Sequence, residues 1–547
     1  MFLVLTLAAC SVNALDSLNP FKSDNEEDES QRGVIGFVKG FIGGVAADEP
    51  RAVLIGRDIL SAGGTAADAA VAMTFALAVT LPSSASLGGG GVCLVRDAGT
   101  KVTETLDFLP GIPKTIPATV VRPTAVPGNV RGLAALHAKY GKLRWAQLVS
   151  PAEKLARFGT QVSRAFASDF KRMSPAMLAE PAIRNIFFQN QGSRPIREGD
   201  FLKQLDLSGV LGRLRARGAG DFYNGPLARQ LVAAVTKGGG SLTLEDLRSY
   251  APRWRPTLKI PYIKGTAFHV PMTSGPSSVL VAQMMGMLIE NGDWKDSSLA
   301  ERAHLMAEVT GRAFAYRGRW LQKDGKSAFD SRRLISEDII RQLIAGFRPD
   351  RHLAQGNVHS APAEKPGNPM GTGFVVADRK GSAVACALSL NNLFGAGQVA
   401  EGMGIVLAAL PGPMGRGPDS LAVMMLVSEF RNVFYYGAAA SGGSAAPSAL
   451  VAVTANTFMG RIEENLEKAL AAKRVHNSGV PDLTYYEQGL DAAIIDTLTK
   501  QGHRLSPAPA IGLVNAVFCS TGIPVKEDAS CSIRNDPRGF GLASGAE

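Results

Sequence analysis

A chain of 547 residues, 46% hydrophobic and 19% charged, exceeds one small core and calls for several domains or one large α/β body; the same balance excludes a disordered chain. The formal net charge is +10, but Lys and Arg are scattered singly with no basic run interleaved with aromatics, so the excess reads as a solvated surface and no nucleic-acid partner is expected. The 60 glycines, many in short runs, call for tight turns and close backbone approaches.

Met1 to Ala9 is apolar but too short to span a bilayer, and Leu7-Ala8-Ala9-Cys10 resembles the lipobox of bacterial lipoproteins, whose cysteine is acylated. On that reading residues 1–10 are a lipoprotein signal ending at Cys10. Residues 11–32, with Asp24-Asn25-Glu26-Glu27-Asp28-Glu29, are a flexible acidic tether, and the body is extracytoplasmic or periplasmic, touching membrane only through its lipid. A short apolar start with a chance cysteine is the alternative, since no Lys or Arg precedes the run. Of the other four cysteines among the five, Cys519 and Cys531 are close enough in sequence to pair in an oxidising compartment. Cys93 and Cys386 sit in apolar runs and read as small core residues. There is no Cys-x-x-Cys and the seven histidines are dispersed in sequence, so no structural zinc site and no metal or cofactor is expected.

From Pro50 to Val79, Ala, Val, Leu and Ile recur at helical spacing. Gly63-Gly64 breaks the run and Thr65 is placed to cap the next helix. The run Leu87 to Val95 passes from four glycines into a short apolar strand. From Val130 to about Arg332 the pattern is mainly helical, with breaks at Val126-Pro127-Gly128 and Gly275-Pro276. Ala354 to Met370 has no period and reads as a flexible connection. It is followed at once by a hairpin: Gly373 to Asp378, a turn at Arg379-Lys380-Gly381-Ser382, and Ala383 to Leu390. Further strands fall at Leu421 to Leu426 and Asn432 to Tyr436, with helices from Ala446 to Ala455 and Asp491 to Gln501.

The hairpin after a loose linker, then Asn391-Asn392-Leu393-Phe394-Gly395-Ala396-Gly397 and Ser441-Gly442-Gly443-Ser444, resembles the small-subunit half of gamma-glutamyltransferases. Upstream, Ala47-Asp48-Glu49-Pro50, Gly63-Gly64-Thr65-Ala66-Ala67-Asp68, Leu87 to Gly91, Val126-Pro127-Gly128 and Tyr140 to Trp145 follow the large-subunit order. Asp536-Pro537-Arg538 matches the closing motif. The resemblance implies an α/β (α+β) N-terminal-nucleophile hydrolase: an αββα sandwich of two stacked, mostly antiparallel sheets with outer helical layers. It also implies a large-subunit-like half over 33–370, with its flexible end at 354–370, and a small-subunit-like half over 371–547, the two staying associated if the chain cuts itself. In that chemistry a Thr hydroxyl attacks an amide, the Thr's own freed α-amine serves as base, and backbone N–H groups hold the oxyanion. Gly442 and Gly443 match the oxyanion position; a turn or capping Gly-Gly pair is the plain alternative.

Several positions depart from the pattern. Where the family has Thr-Thr-His, this chain has Gly371-Thr372-Gly373, so the usual nucleophile position carries no hydroxyl. Thr372 would serve if the cut followed Gly371, yet neighbouring strand residues face opposite sides, and a structural Thr is the alternative. Ser389 stands where a Thr hydrogen-bonds the nucleophile, Asn391 matches a substrate-contacting Asn, and Ser420 keeps one hydroxyl of a Ser pair. Leu109 replaces the Arg that clamps the substrate carboxylate, for which nearby Lys114 is a candidate substitute, and Leu410 to Pro413 replaces the segment with the acidic clamp. Two functions follow: an amidohydrolase or acyltransferase acting on gamma-glutamyl or other small amides through Thr372, or an uncut, inactive, lipid-anchored scaffold or binding protein.

Overall fold

The computed structural model describes residues 43–545 except 274, 323–324, 326, 355–365, 368–369, 413–420, 461–464 and 525–529. Cys10, the tether 11–32, Ser420 and most of the 354–370 connection lie outside the described residues.

Two antiparallel sheets form the body. The seven-stranded sheet runs, edge to edge, Leu542–Gly545, Gly43–Ala47, Thr372–Asp378, Ala383–Ser389, Gly90–Asp97, Val102–Phe108 and Arg253–Arg255. The six-stranded sheet runs Cys531–Arg534, Leu513–Ile523, Val433–Ser441, Ala422–Ser428, Ala267–Pro271 and Thr257–Pro261. In the seven-stranded sheet Gly43–Ala47 lies between two strands of the second half, and in the six-stranded sheet Ala422–Ser428 of the second half pairs with Ala267–Pro271 of the first, so both sheets draw on both halves.

The side-chain period of two sorts each strand between layers. In Thr372–Asp378, Val375 and Ala377 join Val423, Met425, Ala439 and Val517 between the sheets. Phe374 and Val376 face the other way, into a core built with helices Pro50–Ser61, Ala66–Thr80, Asn129–Tyr140 and Trp145–Phe158. On the far side, Met424, Leu426 and Ala438 pack with helices Ser277–Asn291, Leu299–Arg317 and Ala446–Phe458. Helix, sheet, sheet, helix is the layering that the resemblance implies.

The helix Ala66–Thr80 is buried at every residue, which its Ala-rich, almost uncharged sequence permits. Its one acid explains itself. Thr65 accepts from Asp68 N–H while the Asp68 carboxylate accepts from Thr65 N–H, a reciprocal cap. The same carboxylate accepts from Lys142 and Leu143 N–H at 3.0 and 3.2 Å, pinning the Tyr140-Gly141-Lys142-Leu143 turn. Asp378, from the second half, accepts from Ala66 N–H at 3.1 Å and so holds the helix start against the hairpin.

The predicted hairpin forms as Thr372–Asp378 and Ala383–Ser389, and the helices after Pro50, Thr65, Ala445 and Asp491 all form. Within the stretch read as helical, Arg253–Arg255, Thr257–Pro261 and Ala267–Pro271 are strands; Leu258 and Ile260 alternate with exposed Lys259 and Pro261, a period of two inside a mainly helical region. Cys93 and Cys386, expected as unpaired core residues, are a disulfide, because they sit directly opposite each other on neighbouring strands. Cys519 and Cys531 are cross-strand partners and also pair.

The Cys93–Cys386 bond joins residues 293 apart, on opposite sides of the 354–370 connection. A chain cut anywhere between them, by itself or by added protease, is expected to run as one band on a non-reducing denaturing gel and as two after reduction. Replacing both cysteines by Ala should lower the unfolding free energy by about 2–5 kcal/mol, read from urea midpoints; an unchanged midpoint would mean that this bond does not form.

Candidate active site

The strand Gly43–Ala47 ends at Asp48, a carboxylate only 7% exposed that becomes the meeting point of three segments. Its Oδ2 accepts from the Thr372 hydroxyl at 2.8 Å, from Gly373 N–H at 3.1 Å and from the Ser441 hydroxyl at 3.4 Å. Its Oδ1 accepts from Asn515 Nδ2 at 2.7 Å, and the same amide nitrogen donates to Gly373 O at 2.9 Å. Burial raises the Asp48 pKa, opposed by the bonds from Asn515, Thr372 and Gly373. A carboxyl in that condition can orient a hydroxyl and accept its proton.

Asp48 lines an open cleft whose walls also include Ser84, Asp169, Arg172, Gly371, Gly442, Arg538 and Phe540. Strand alternation decides what faces it. Gly371 lines the cleft, whereas Thr372 is fully buried and absent from the lining, its neighbours Phe374 and Val376 pointing into the helix-side core. No one-residue shift occurs at the strand start, since Thr372 pairs with Leu388 and Gly373 with Ala387 in unbroken register. Gly371 adopts φ +81°, and a Cβ there would lie 2.7 Å from Leu388 O. The uncut chain therefore takes a turn at 371 that only glycine makes without strain.

The glycine pair is likewise built for backbone contact. Gly442 and Gly443 have φ of +119° and +72°, and a Cβ on Gly442 would fall 2.7 Å from Gly512 Cα. They open the turn Gly443–Ala445 that feeds helix Ala446–Phe458. Gly442 N–H, a predicted oxyanion donor, donates at 3.3 Å to the carbonyl of Met370, the residue just before the cleft-facing glycine. The Gly512 loop behind it is fixed by charge. Arg474 donates to Ile511 O and Gly512 O at 3.0 Å and to Asp536 at 2.7 Å, while Arg538 is bonded to Glu487 and Asp536. That buried knot is what the Asp536-Pro537-Arg538 motif supplies.

Ser389 sits in the strand next to Thr372–Asp378, and its Oγ accepts from Asn391 N–H at 2.8 Å. Asn391, at φ +66°, donates through Nδ2 to Ala409 O, and its Oδ1 has no partner among the described residues although the side chain is buried. Neither Ser389 nor Asn391 lines the cleft, and both are buried. Lys114 is elsewhere: its ammonium forms an exposed ion pair with Glu245 at 2.9 Å and does not line the cleft. Leu109 packs against the core between the sheets. Asp48 lies in Ala47-Asp48-Glu49-Pro50, a sequence that by itself points to no role for the carboxylate. Ser441 opens the Ser441-Gly442-Gly443-Ser444 motif, which does not announce its bond to Asp48, and Asp169 and Asn515 had no sequence signal, because only folding brings them to the cleft or to Asp48.

Residues 52–545 match the family model described as Gamma-glutamyltranspeptidase. A glutathione hydrolase proenzyme of Pseudomonas aeruginosa is 30% identical over 91% of this chain and 94% of its own length. The proenzyme of the same name from Escherichia coli is 28% identical over 91% and 90%. Among solved structures, the cephalosporin acylase of Bacillus halodurans shares the fold with a TM-score of 0.76 at 22% identity, covering 93% of this chain and 96% of that one. A gamma-glutamyltranspeptidase chain from Pseudomonas nitroreducens, complexed with L-DON, aligns with a TM-score of 0.52 at 28% identity, covering 59% and 98%. The sandwich is the N-terminal-nucleophile hydrolase fold.

One wall group titrates where it can be measured. Asp169, bonded to the Ser83 hydroxyl at 2.7 Å, has its pKa pushed up to about 7 by burial. A carboxyl raised in the fold contributes stability below its unfolded pKa and loses that contribution as pH rises through the folded value. Relative to Asp169→Asn, the wild-type unfolding free energy should fall by on the order of 2–4 kcal/mol between pH 4 and pH 8. Parallel pH profiles of the two proteins in urea titrations would contradict this assignment.

Proposed function

Since this chain belongs to the gamma-glutamyltranspeptidase family, we propose that it is an amidohydrolase or acyltransferase for small amides, gamma-glutamyl compounds among them, with Thr372 as its nucleophile. The supporting observation is the 2.8 Å hydrogen bond from the Thr372 hydroxyl to Asp48, a carboxylate that lines the cleft. In the continuous chain, Gly371 lies between Thr372 and the cleft. Cutting the Gly371–Thr372 bond makes Thr372 the first residue of the second half, and departure of the segment ending at Gly371 uncovers its hydroxyl. Its α-amine, with a pKa near neutrality, then accepts the hydroxyl proton as Oγ1 attacks the substrate carbonyl and returns it to the departing substrate amine as the amide C–N bond breaks. Water or an acceptor amine then releases the acyl group from Oγ1. Asp48 orients the hydroxyl. Gly442 N–H, freed from Met370, would stabilise the developing oxyanion.

A second reading rests on a specific observation. Gly371 fits its left-handed turn and Gly442 already holds Met370 O, so the uncut chain is relaxed at the point where cutting is needed. On this reading the protein is an uncut relative whose cleft binds an amide without turning it over. In either case we place it outside the cytoplasm, anchored through Cys10; the two disulfides support an oxidising compartment.

A reducing denaturing gel with intact mass measurement separates the readings. The enzyme reading expects two fragments, the second starting at Thr372, and no fragments from Thr372→Ala. A single intact wild-type chain after prolonged incubation would favour the binding reading, and cutting that persists in Thr372→Ala would remove Thr372 from the chemistry. Because Leu109 offers no charge and Lys114 is turned to the surface, a gamma-glutamyl anilide should be hydrolysed slowly without saturating below about 1 mM, the top of the usual KM range. Saturation in the micromolar range would show that another group clamps the glutamyl head.

A further inference from the structure

Three of the seven histidines, far apart in sequence, meet in one cluster in which His304 and His503 are buried and none lines the cleft. His304 and Glu308 are four residues apart on helix Leu299–Arg317 and so share a face. His503 comes from the second half, after helix Ala492–Lys500. His304 Nδ1 and His503 Nε2 are 2.7 Å apart, and a carboxylate oxygen of Glu308 lies within 4.8 Å of both.

We propose that His304, Glu308 and His503 are the protein ligands of a divalent metal site of the zinc class, completed by water. Two imidazoles and one carboxylate form a donor set that zinc accepts and that magnesium or calcium does not favour. The outer contacts are those of ligating histidines. His304 Nε2 lies 2.8 Å from the Arg348 carbonyl, which can only accept, so that nitrogen carries the proton and Nδ1 presents a lone pair to the centre. His503 Nδ1 lies 3.2 Å from the Thr484 hydroxyl, an outer partner that can accept its proton and leave Nε2 free to ligate. Without metal, the 2.7 Å contact is a hydrogen bond from His503 Nε2–H to His304 Nδ1. Ligation moves that proton to His503 Nδ1 and opens the two nitrogens to about 3.3 Å, the spacing set by tetrahedral Zn–N bonds.

Glu308 is fixed in place from both sides. Arg312 bonds its Oε2, and His352, which also reaches Asp482 at 2.9 Å, bonds its Oε1 at 2.5 Å. A metal on Oε1 competes with His352 for that oxygen, and Asp482 remains to hold the displaced ring. The site joins the helix of the first half to the second half on the side of the molecule built by helix Leu299–Arg317.

The test uses the full chain, dialysed against chelator and then titrated with zinc by calorimetry and with cobalt(II) by visible absorption. One equivalent of zinc, and the strong visible bands of four-coordinate cobalt, are expected. His503→Gln, which keeps an amide able to bond His304, should weaken binding by at least about 100-fold while retaining the wild-type metal-free thermal midpoint. Glu308→Gln gives a second reading if that variant does not fold. Wild-type protein that takes up no stoichiometric metal, or variants that bind as tightly as wild type, would overturn the proposal.

Discussion

Everything at the cleft depends on one buried carboxylate. Asp48 closes the first strand, receives the hydroxyl and backbone of the hairpin start, and reaches across to Ser441 and Asn515 on the opposing sheet. Four donors make a charge in this place tolerable, and removing them would leave it unpaired away from water. The position of the carboxylate therefore sets the position of strand Thr372–Asp378 relative to both sheets. The chemistry at its head inherits that accuracy.

What faces the cleft is then a matter of strand geometry. Side chains alternate, so one residue of displacement exchanges the helix-side core for the gap between the sheets. Gly371 lines the cleft, and Thr372 lies buried behind it with its hydroxyl on Asp48. A chain with no side chain at the first position gains an unstrained continuous backbone and gives up the hydroxyl at that position. The Met370 carbonyl resting on Gly442 N–H belongs to the same arrangement: the donor that would serve a reacting carbonyl is meanwhile serving the protein's own.

The order of motifs made the layered fold legible, and the hairpin, the glycine-led strand and the capped helix around Thr65 could be read residue by residue. The strand Gly43–Ala47 could not, because buried glycine and alanine show no alternation of polar and apolar residues. Among the site residues, Ser389 and Asn391 were placed beside the hairpin by local pattern alone. Asp169 and Asn515 come to the cleft and to Asp48 from distant segments, and no local pattern in the sequence announces such a meeting. The Cys93–Cys386 bond was missed for a related reason: it depends on strand register, which pairs residues 293 apart only once the sheet exists. The three-histidine cluster escaped notice in the same way.

The interleaving of strands has a consequence for how such a molecule can be assembled. Thr372–Asp378 lies between Gly43–Ala47 and Ala383–Ser389, and the last strand, Leu542–Gly545, is seated on the first. Neither half owns a closed sheet, so each synthesised alone would present bare strand edges to its neighbours, a recipe for clumping. A single polypeptide solves this by delivering both sets of strands at equal dose and in one place, whatever later happens to the bond that connects them.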